Sequence, residues 1–275
     1  TFNADDYGIY EGSELTNVDA TVDPRLDFVT GRPGITWKTY TAEPCKANWV
    51  RNSGEYGFNC TKRFYISPES EDMFQGWPWG ASHLNWQIIR YADVLLWKAE
   101  ALIEIGEAAG LEEARKIINR IRLRAKNSPY VKDFEDSEQN AANYLIGEYP
   151  SEGWNQELAR KALRWERRME FAMENQRLQD LMRWKLAEKA LNGYNYIMLI
   201  DPTELLNNIV NKNLWFWGKT PQIDEDGLAD FSALFNAGYC SQGAKRIFPE
   251  REYLWPLPTH DVELCPNLLP NNPGY

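Results

Sequence analysis

Two long stretches of helical periodicity constrain this chain more than any other feature. From about Gln87 to Ile105, Val94, Leu95, Ala99, Leu102 and Ile103 fall on one stripe, and Leu111, Ala114, Ile117, Ile118 and Ile121 repeat the pattern after a short break at Gly106. Gly106 suits a helix C-cap, because glycine takes the left-handed conformation without strain. The spacing therefore predicts a helical hairpin, the unit of tetratricopeptide arrays. A second pair follows. Leu158, Ala162, Trp165, Met169, Ala172 and Met173 line a stripe from Gln156 to Glu174, and Leu178, Leu181, Met182 and Leu186 line the next, with Asn175 as the break.

Elsewhere the periodicity fades. Residues 1–86 are rich in Gly, Pro, Asn and Ser, with strand-like pieces at Thr36–Thr41 and Arg63–Ile66. Residues 127–153 read as a polar connection with a short helix around Glu138–Leu145. Residues 192–250 mix Asn, Gly and aromatics, as loops do. Prolines 256, 258, 266, 270 and 273 force an extended tail with room for one helical turn at Thr259–Leu264. The expected fold is mostly α: tetratricopeptide-like hairpins over 87–191, an irregular region over 1–86, and an irregular region with an extended tail over 192–275.

Charge and composition exclude several functions. Thirty basic against 40 acidic residues give a net charge of −10. A phosphate-backbone ligand needs a basic surface, so nucleic acid is disfavoured. No apolar run approaches the length that spans a bilayer. Four cysteines stand at 45, 60, 240 and 265, with no CxxC pair and only His83 and His260 beside them, which argues against structural zinc. Three disulfide pairings are open. Cys45 with Cys60 closes a short loop that an oxidising exterior would permit, and four separate small hydrophobes are the alternative.

Catalytic signatures are thin. Glu166, Glu170 and Glu174 lie four apart on one helix face, about 5–6 Å between neighbours at Cβ, a separation that a retaining glycosidase could use. Arg167, Arg168 and Arg177 supply ion-pair partners, and ion pairing is the favoured reading. Trp217–Thr220 lacks the upstream glycine of a phosphate loop, and neither a G-x-S-x-G nor an H-E-x-x-H motif occurs. Asp224–Gly227 lacks EF-hand spacing and reads as a solvated acidic turn.

Aromatic side chains are the better lead. The chain holds 12 Trp and 14 Tyr, and several sit in polar loop sequence: Trp37, Trp49, Tyr56, Trp77, Trp79, Trp215 and Trp217. The C–H face of a pyranose packs on an indole, and its hydroxyls need amide and charged partners. Candidate ligand-binding residues are Trp37, Trp49, Trp77 and Trp79, with Arg51, Asn52 and Asp72 as polar partners; Arg63 lies nearby. Core packing is the competing reading for any one Trp. Trp86, Trp97, Trp165 and Trp184 belong to the helical blocks or their edges and are expected to be structural. No cofactor or metal is expected.

Four pieces in order carry a resemblance: Asp23-Pro24-Arg25-Leu26; the block from Ile89-Arg90-Tyr91-Ala92-Asp93 to Ala125; the block from Glu166-Arg167-Arg168-Met169-Glu170 to Trp184; and the tail Leu254-Trp255-Pro256-Leu257-Pro258 to Asn272-Pro273-Gly274-Tyr275. Together they resemble the SusD/RagB family of outer-membrane nutrient-binding lipoproteins, with a SusD-like α/α superhelix. The resemblance implies the C-terminal half of a longer protein, since residue 1 is Thr and no signal peptide or lipid-attachment cysteine opens the chain. It also implies a non-catalytic binder at the cell surface, lipid-anchored through a segment outside this sequence. That binder would pass oligosaccharide to a SusC-like TonB-dependent transporter and pack against an N-terminal half of the same protein. A peptide-capturing or scaffold relative is the alternative; a glycoside hydrolase is a third. The matching residues Arg90, Asp93, Glu166 and Arg168 are expected in ion pairs and turns. A helical repeat that lacks a neighbour is expected to leave an apolar patch on its surface.

Overall fold

Three helices meet on one apolar seam in the computed structural model of the chain. The structure describes residues 21–38, 43–46, 49–50, 59–74, 76–77, 81–190, 222–230, 249, 253–254, 256–265 and 272. Among these the regular elements are α1 (Leu26–Val29), β1 (Thr30–Gly31), β2 (Cys60–Thr61), α2 (Tyr91–Ile105), α3 (Ala108–Lys126), α4 (Gln156–Glu170), α5 (Arg177–Arg183), β3 (Gln222–Ile223), β4 (Ala229–Asp230) and α6 (Thr259–Leu264). Helix dominates, and the strands form two short antiparallel pairs, β1 with β2 and β3 with β4.

The seam is built by Leu96, Ala99 and Ile103 of α2, Ala114, Ile117, Ile118 and Ile121 of α3, and Ala159, Ala162 and Leu163 of α4, closed by Phe171. Each of the larger aliphatic residues contributes about 1.5–3 kcal/mol by leaving water. The alanines let the helix backbones approach closely. The buried stripe of α2 is Asp93, Leu96, Ala99 and Ile103. It is rotated from the expected one, so Val94 is 47% exposed, and Trp97, expected to be structural, is 42% exposed. Periodicity reports that a face exists; partners on two sides decide which residues lie at its centre.

Local chemistry sets the helix ends. Gly106 ends α2 at φ 80°, and its N–H donates to the Leu102 carbonyl at 3.2 Å. An adjacent orphan carbonyl, that of Ile103, accepts from Gln156 Nε2 at 2.6 Å, which ties α2 to the start of α4. Asn155 caps α4 by accepting from the Leu158 N–H at 3.0 Å. Asn175 takes φ 65°, as a break between α4 and α5 requires, and Met173 does so too.

The connection 127–153 contains no helix at Glu138–Leu145. Lys132 pairs with Asn140 and Val22 with Tyr144 in single β-bridges. Ala141, Ala142 and Tyr144 turn inward onto Val22 and Ile35. Tertiary contact with the 22–35 segment captures backbone groups that a local helix would have used. Buried Asn119 then fixes the return toward α4: its Nδ2 donates to the Tyr149 carbonyl at 2.9 Å and its Oδ1 accepts from the Tyr149 N–H at 2.8 Å.

Thr36–Lys38 is not strand, and residues 39–42 lie outside the described part. Arg63–Phe64 is a turn, with Phe64 at φ 65°. The observed strands fall instead where Gly31 meets Cys60 and Thr30 meets Thr61. Thr259–Leu264 forms the expected helical turn. An exposed apolar side runs along Trp86, Ile88, Ile89, Tyr91, Val94 and Trp97, with Ile88 79% and Tyr91 65% accessible. No helix of the described residues is long and apolar enough to cross a membrane.

Candidate ligand-binding site

A buried polar knot ties Asp27, Arg32 and Lys62 to Tyr144 of the 127–153 connection. Asp27 is fully buried and accepts from Arg32 Nε at 2.7 Å, Arg32 Nη2 at 2.9 Å and the Tyr144 hydroxyl at 2.7 Å. Burial and the neighbouring Asp27 charge push the Tyr144 phenol far up, so it stays a donor. Lys62 is 2% exposed and donates to the carbonyls of Asp27 at 2.8 Å and Thr36 at 2.6 Å. Burial pulls its ammonium down to about 8, although the Asp27 charge opposes the shift. Every member of the knot is hydrogen-bonded, as burial of charge demands.

Above this knot lies the aromatic cluster. Trp37 rests on Gly31 so closely that a Cβ there would sit 2.4 Å from the indole. Lys62 Nζ is 5.9 Å from the same ring. Trp49 and Tyr65 meet Trp37 edge-on, at centroid distances of 5.7 and 5.6 Å and interplanar angles of 77° and 74°. Trp37 is half-buried and acts as the hub, while Trp49 and Tyr65 are exposed. Beside them Phe64 stacks on Trp86 at 4.3 Å and 27°, and both rings are half or more accessible. Arg63 lies over Phe64 at 5.6 Å and ion-pairs with Glu174.

Trp77 stands apart. It is 83% exposed and lies between segments 72–74 and 81–83, which are joined by Phe74 N–H to Ala81 O and His83 N–H to Asp72 O. It has no ring partner among the described residues. Asp72 is exposed at the base of this hairpin-like turn. Arg51, Asn52 and Trp79 lie outside the described residues, so a Trp77–Trp79 platform has no geometry here.

The structure thus joins Trp37 and Trp49 and adds Tyr65, Phe64 and Trp86, which sequence reasoning missed. Trp86 was expected to be structural because it adjoins a motif helix, yet it is 60% exposed. Tyr65 and Phe64 were hidden in an apparent strand. A left-handed Phe64 presents both rings on a turn, and no local pattern encodes that.

The glutamates of α4 and its C-terminal extension are occupied by arginines. Arg25 Nη1 lies 2.6 Å from Glu166 Oε1, and Arg122 Nη1 lies 3.0 Å from Oε2. Glu170 accepts from Arg25, Arg90 and Arg124; Glu174 accepts from Arg63 and Arg90. Asp23 receives three bonds from Arg25. Burial raises its carboxyl, but those bonds and the Arg25 charge outweigh it and hold Asp23 below the usual range. Beside this network opens a cleft of about 510 Å³ lined by Arg25, Phe28, Arg63, Arg90, Arg124 and Glu170 among others. At Asp224–Asp226, Lys189 Nζ lies 2.8, 3.2 and 2.6 Å from the three carboxylates. The acidic turn is therefore ion-paired by a lysine rather than merely solvated.

Arg25 in the Asp23–Leu26 turn, Arg90 at the start of α2, and the glutamates of α4 form one network. The model of the SusD family matches residues 3–275. The chain belongs to the SusD family. A SusD-like protein from Formosa agariphila, P2, is 30% identical over 194 residues, which cover 70% of this chain and 26% of that protein. A solved SusD homolog from Bacteroides thetaiotaomicron is 22% identical, with a TM-score of 0.45 over 92% of this chain and 41% of that one. This SusD-family chain therefore spans less than half the length of either relative.

Proposed function

We propose that this chain is part of a cell-surface nutrient binder that captures oligosaccharide and delivers it to a SusC-like TonB-dependent outer-membrane transporter. The observation that carries the reading is the aromatic cluster of Trp37, Trp49 and Tyr65, flanked by Phe64 and Trp86, on a rigid polar base in a SusD-family chain. Exposed indole and phenol faces suit the C–H face of a sugar. The rings of the Trp37 hub meet near right angles, so they would cup a glycan from two sides rather than form one flat platform. Trp77 and Asp72 would extend the surface along a chain-like ligand.

A binding role without catalysis is supported by the carboxylates: both oxygens of buried Glu166 are held by arginines. Attachment at the outer membrane through a lipid on a further segment belongs to the same reading. So does an N-terminal half that covers the apolar side at Ile88, Ile89 and Tyr91. The cleft of about 510 Å³ favours a second reading, a peptide-capturing relative, because paired arginines and glutamates suit backbone and side-chain polar groups. Calorimetry of the full-length protein against a glycan panel and a peptide library tests both. Saturable glycan binding that weakens about tenfold in Trp49→Ala supports the first; peptide binding that is indifferent to Trp49 and lost in Arg124→Ala supports the second.

A further inference from the structure

We propose that Cys45 and Cys60 close to a disulfide that ties together the chain on either side of Trp49, with Cys60 as the thiol that attacks first. Their sulfurs lie 3.7 Å apart, although the residues are 15 positions apart in sequence. Backbone bonds hold both ends of the contact. The Gly34 N–H donates to the Cys45 carbonyl at 2.7 Å and the Cys45 N–H donates to the Ile35 carbonyl at 2.9 Å. Cys60 is paired with Gly31 across β1 and β2. The same short segment, 31–35, therefore presents the two thiols to each other. Gly31 keeps the space open, since a Cβ there would sit 2.8 Å from Cys60 Sγ. What remains is to shorten the sulfur contact to the roughly 2.05 Å of a disulfide.

Accessibility orders the chemistry. Cys45 is fully buried, whereas Cys60 is partly exposed, so an external oxidant reaches Cys60. Electrostatics agrees. The hydrogen bond with Cys45 lowers the Cys60 thiol against the rise that burial would cause, and the Lys62 ammonium acts in the same direction. The same hydrogen bond, together with burial, pushes the Cys45 thiol far up. The Cys60 thiolate attacks one sulfur of a small-molecule or oxidoreductase disulfide, which breaks that S–S bond and expels one thiolate. Cys45 then gives its proton to a thiolate or to water, and its sulfur attacks Cys60 Sγ and expels the second thiolate. In total two protein thiols become one disulfide, and one oxidant disulfide becomes two thiols.

The bridge would connect the Gly34–Cys45 clamp to β2 directly beneath the Trp37 ring. One S–S bond would then join the chain on either side of Trp49. The test uses the full chain in a buffer of equal reduced and oxidised glutathione at pH 7.5, followed by acid quench, alkylation in denaturant and peptide mass mapping. A cross-linked Cys45–Cys60 peptide is expected. In Cys45→Ser one glutathione should accumulate on Cys60, and in Cys60→Ser Cys45 should remain a free thiol. Alkylation of both cysteines in the wild type, or a bond from either to Cys240 or Cys265, overturns the proposal. Glutathione on Cys45 in Cys60→Ser overturns the order of attack.

Discussion

Arg25 reaches Glu166 across 141 positions of chain, with Nη1 2.6 Å from Oε1. Glu166 is fully buried and Arg25 nearly so. This contact welds the loop-rich part of the chain to the helical seam, and it sits next to Glu170, which Arg25 also touches at 3.2 Å. Removing one partner strands the other charge in a poorly solvated place. Arg25→Ala is expected to cost about 3–5 kcal/mol of stability, read as a loss of midpoint in urea denaturation. A cost below about 1 kcal/mol, the range of exposed ion pairs, would show that the network is dispensable.

Lys62 makes stability depend on alkaline pH. Its folded-state pKa is about 8, below the ordinary 10.5, because burial disfavours the charge. Below about pH 8 the folded protein carries the full cost of the buried ammonium. As pH rises from 8 toward 10.5 the folded state releases the proton before the unfolded state does, so this group's contribution to stability increases. The whole effect is on the order of 3 kcal/mol. The difference in unfolding free energy between wild type and Lys62→Met should therefore shift in favour of the wild type between pH 7.5 and 10. A flat difference across that range would show that Lys62 titrates normally.

Gly31→Ala tests how tightly Trp37 is seated. The new methyl would fall 2.4 Å from the indole and 2.8 Å from Cys60 Sγ. Overpacking of this kind costs about 1–3 kcal/mol. Because Trp37 is the hub for Trp49 and Tyr65, near-ultraviolet circular dichroism should change along with the melting temperature. An unchanged aromatic spectrum would mean that the ring is not lodged there.

Exposed rings separate binding from folding. Trp77 is 83% and Tyr65 58% accessible. Trp77→Ala should leave stability within about 0.5 kcal/mol, whereas Tyr65→Ala, like Trp49→Ala, also loses an edge contact with Trp37. If they contact a sugar, each should weaken glycan binding about tenfold, from roughly 1–3 kcal/mol of stacking. Trp49→Ala should combine both effects, since its ring also packs on Trp37. Full affinity in all three variants would move the ligand site away from these aromatics.

The Tyr144 hydroxyl is the cleanest probe of the polar knot. Tyr144→Phe removes one charge-assisted bond of 2.7 Å to Asp27 and little else. A loss of about 1.5–3 kcal/mol is expected by thermal or urea unfolding. No loss would mean that Arg32 alone satisfies Asp27.

Much of the helical part was legible in the sequence because helix formation is local. Apolar residues three and four apart announced α2, α3 and α4, Gly106 marked the end of α2, and Pro256 and Pro258 bounded α6; α4 stops at Glu170, short of the expected Glu174, because a turn begins at Phe171. The ion-pair role of Glu166 and Glu170 was also readable in kind, since arginines abound near them. The tertiary structure alone decided which arginines answer, and several of them, Arg25, Arg63 and Arg90, come from more than 75 positions away. It also turned α2 so that Val94 faces outward and Leu96 inward, recruited Ala141, Ala142 and Tyr144 into a core instead of a helix, and set Trp86 on Phe64. The reason is the same in each case. A hydrogen bond within one turn is encoded by neighbours, but the burial of a ring, the pairing of Gly31 with Cys60 and the meeting of two thiols depend on where distant segments come to rest. No periodicity in the chain records that.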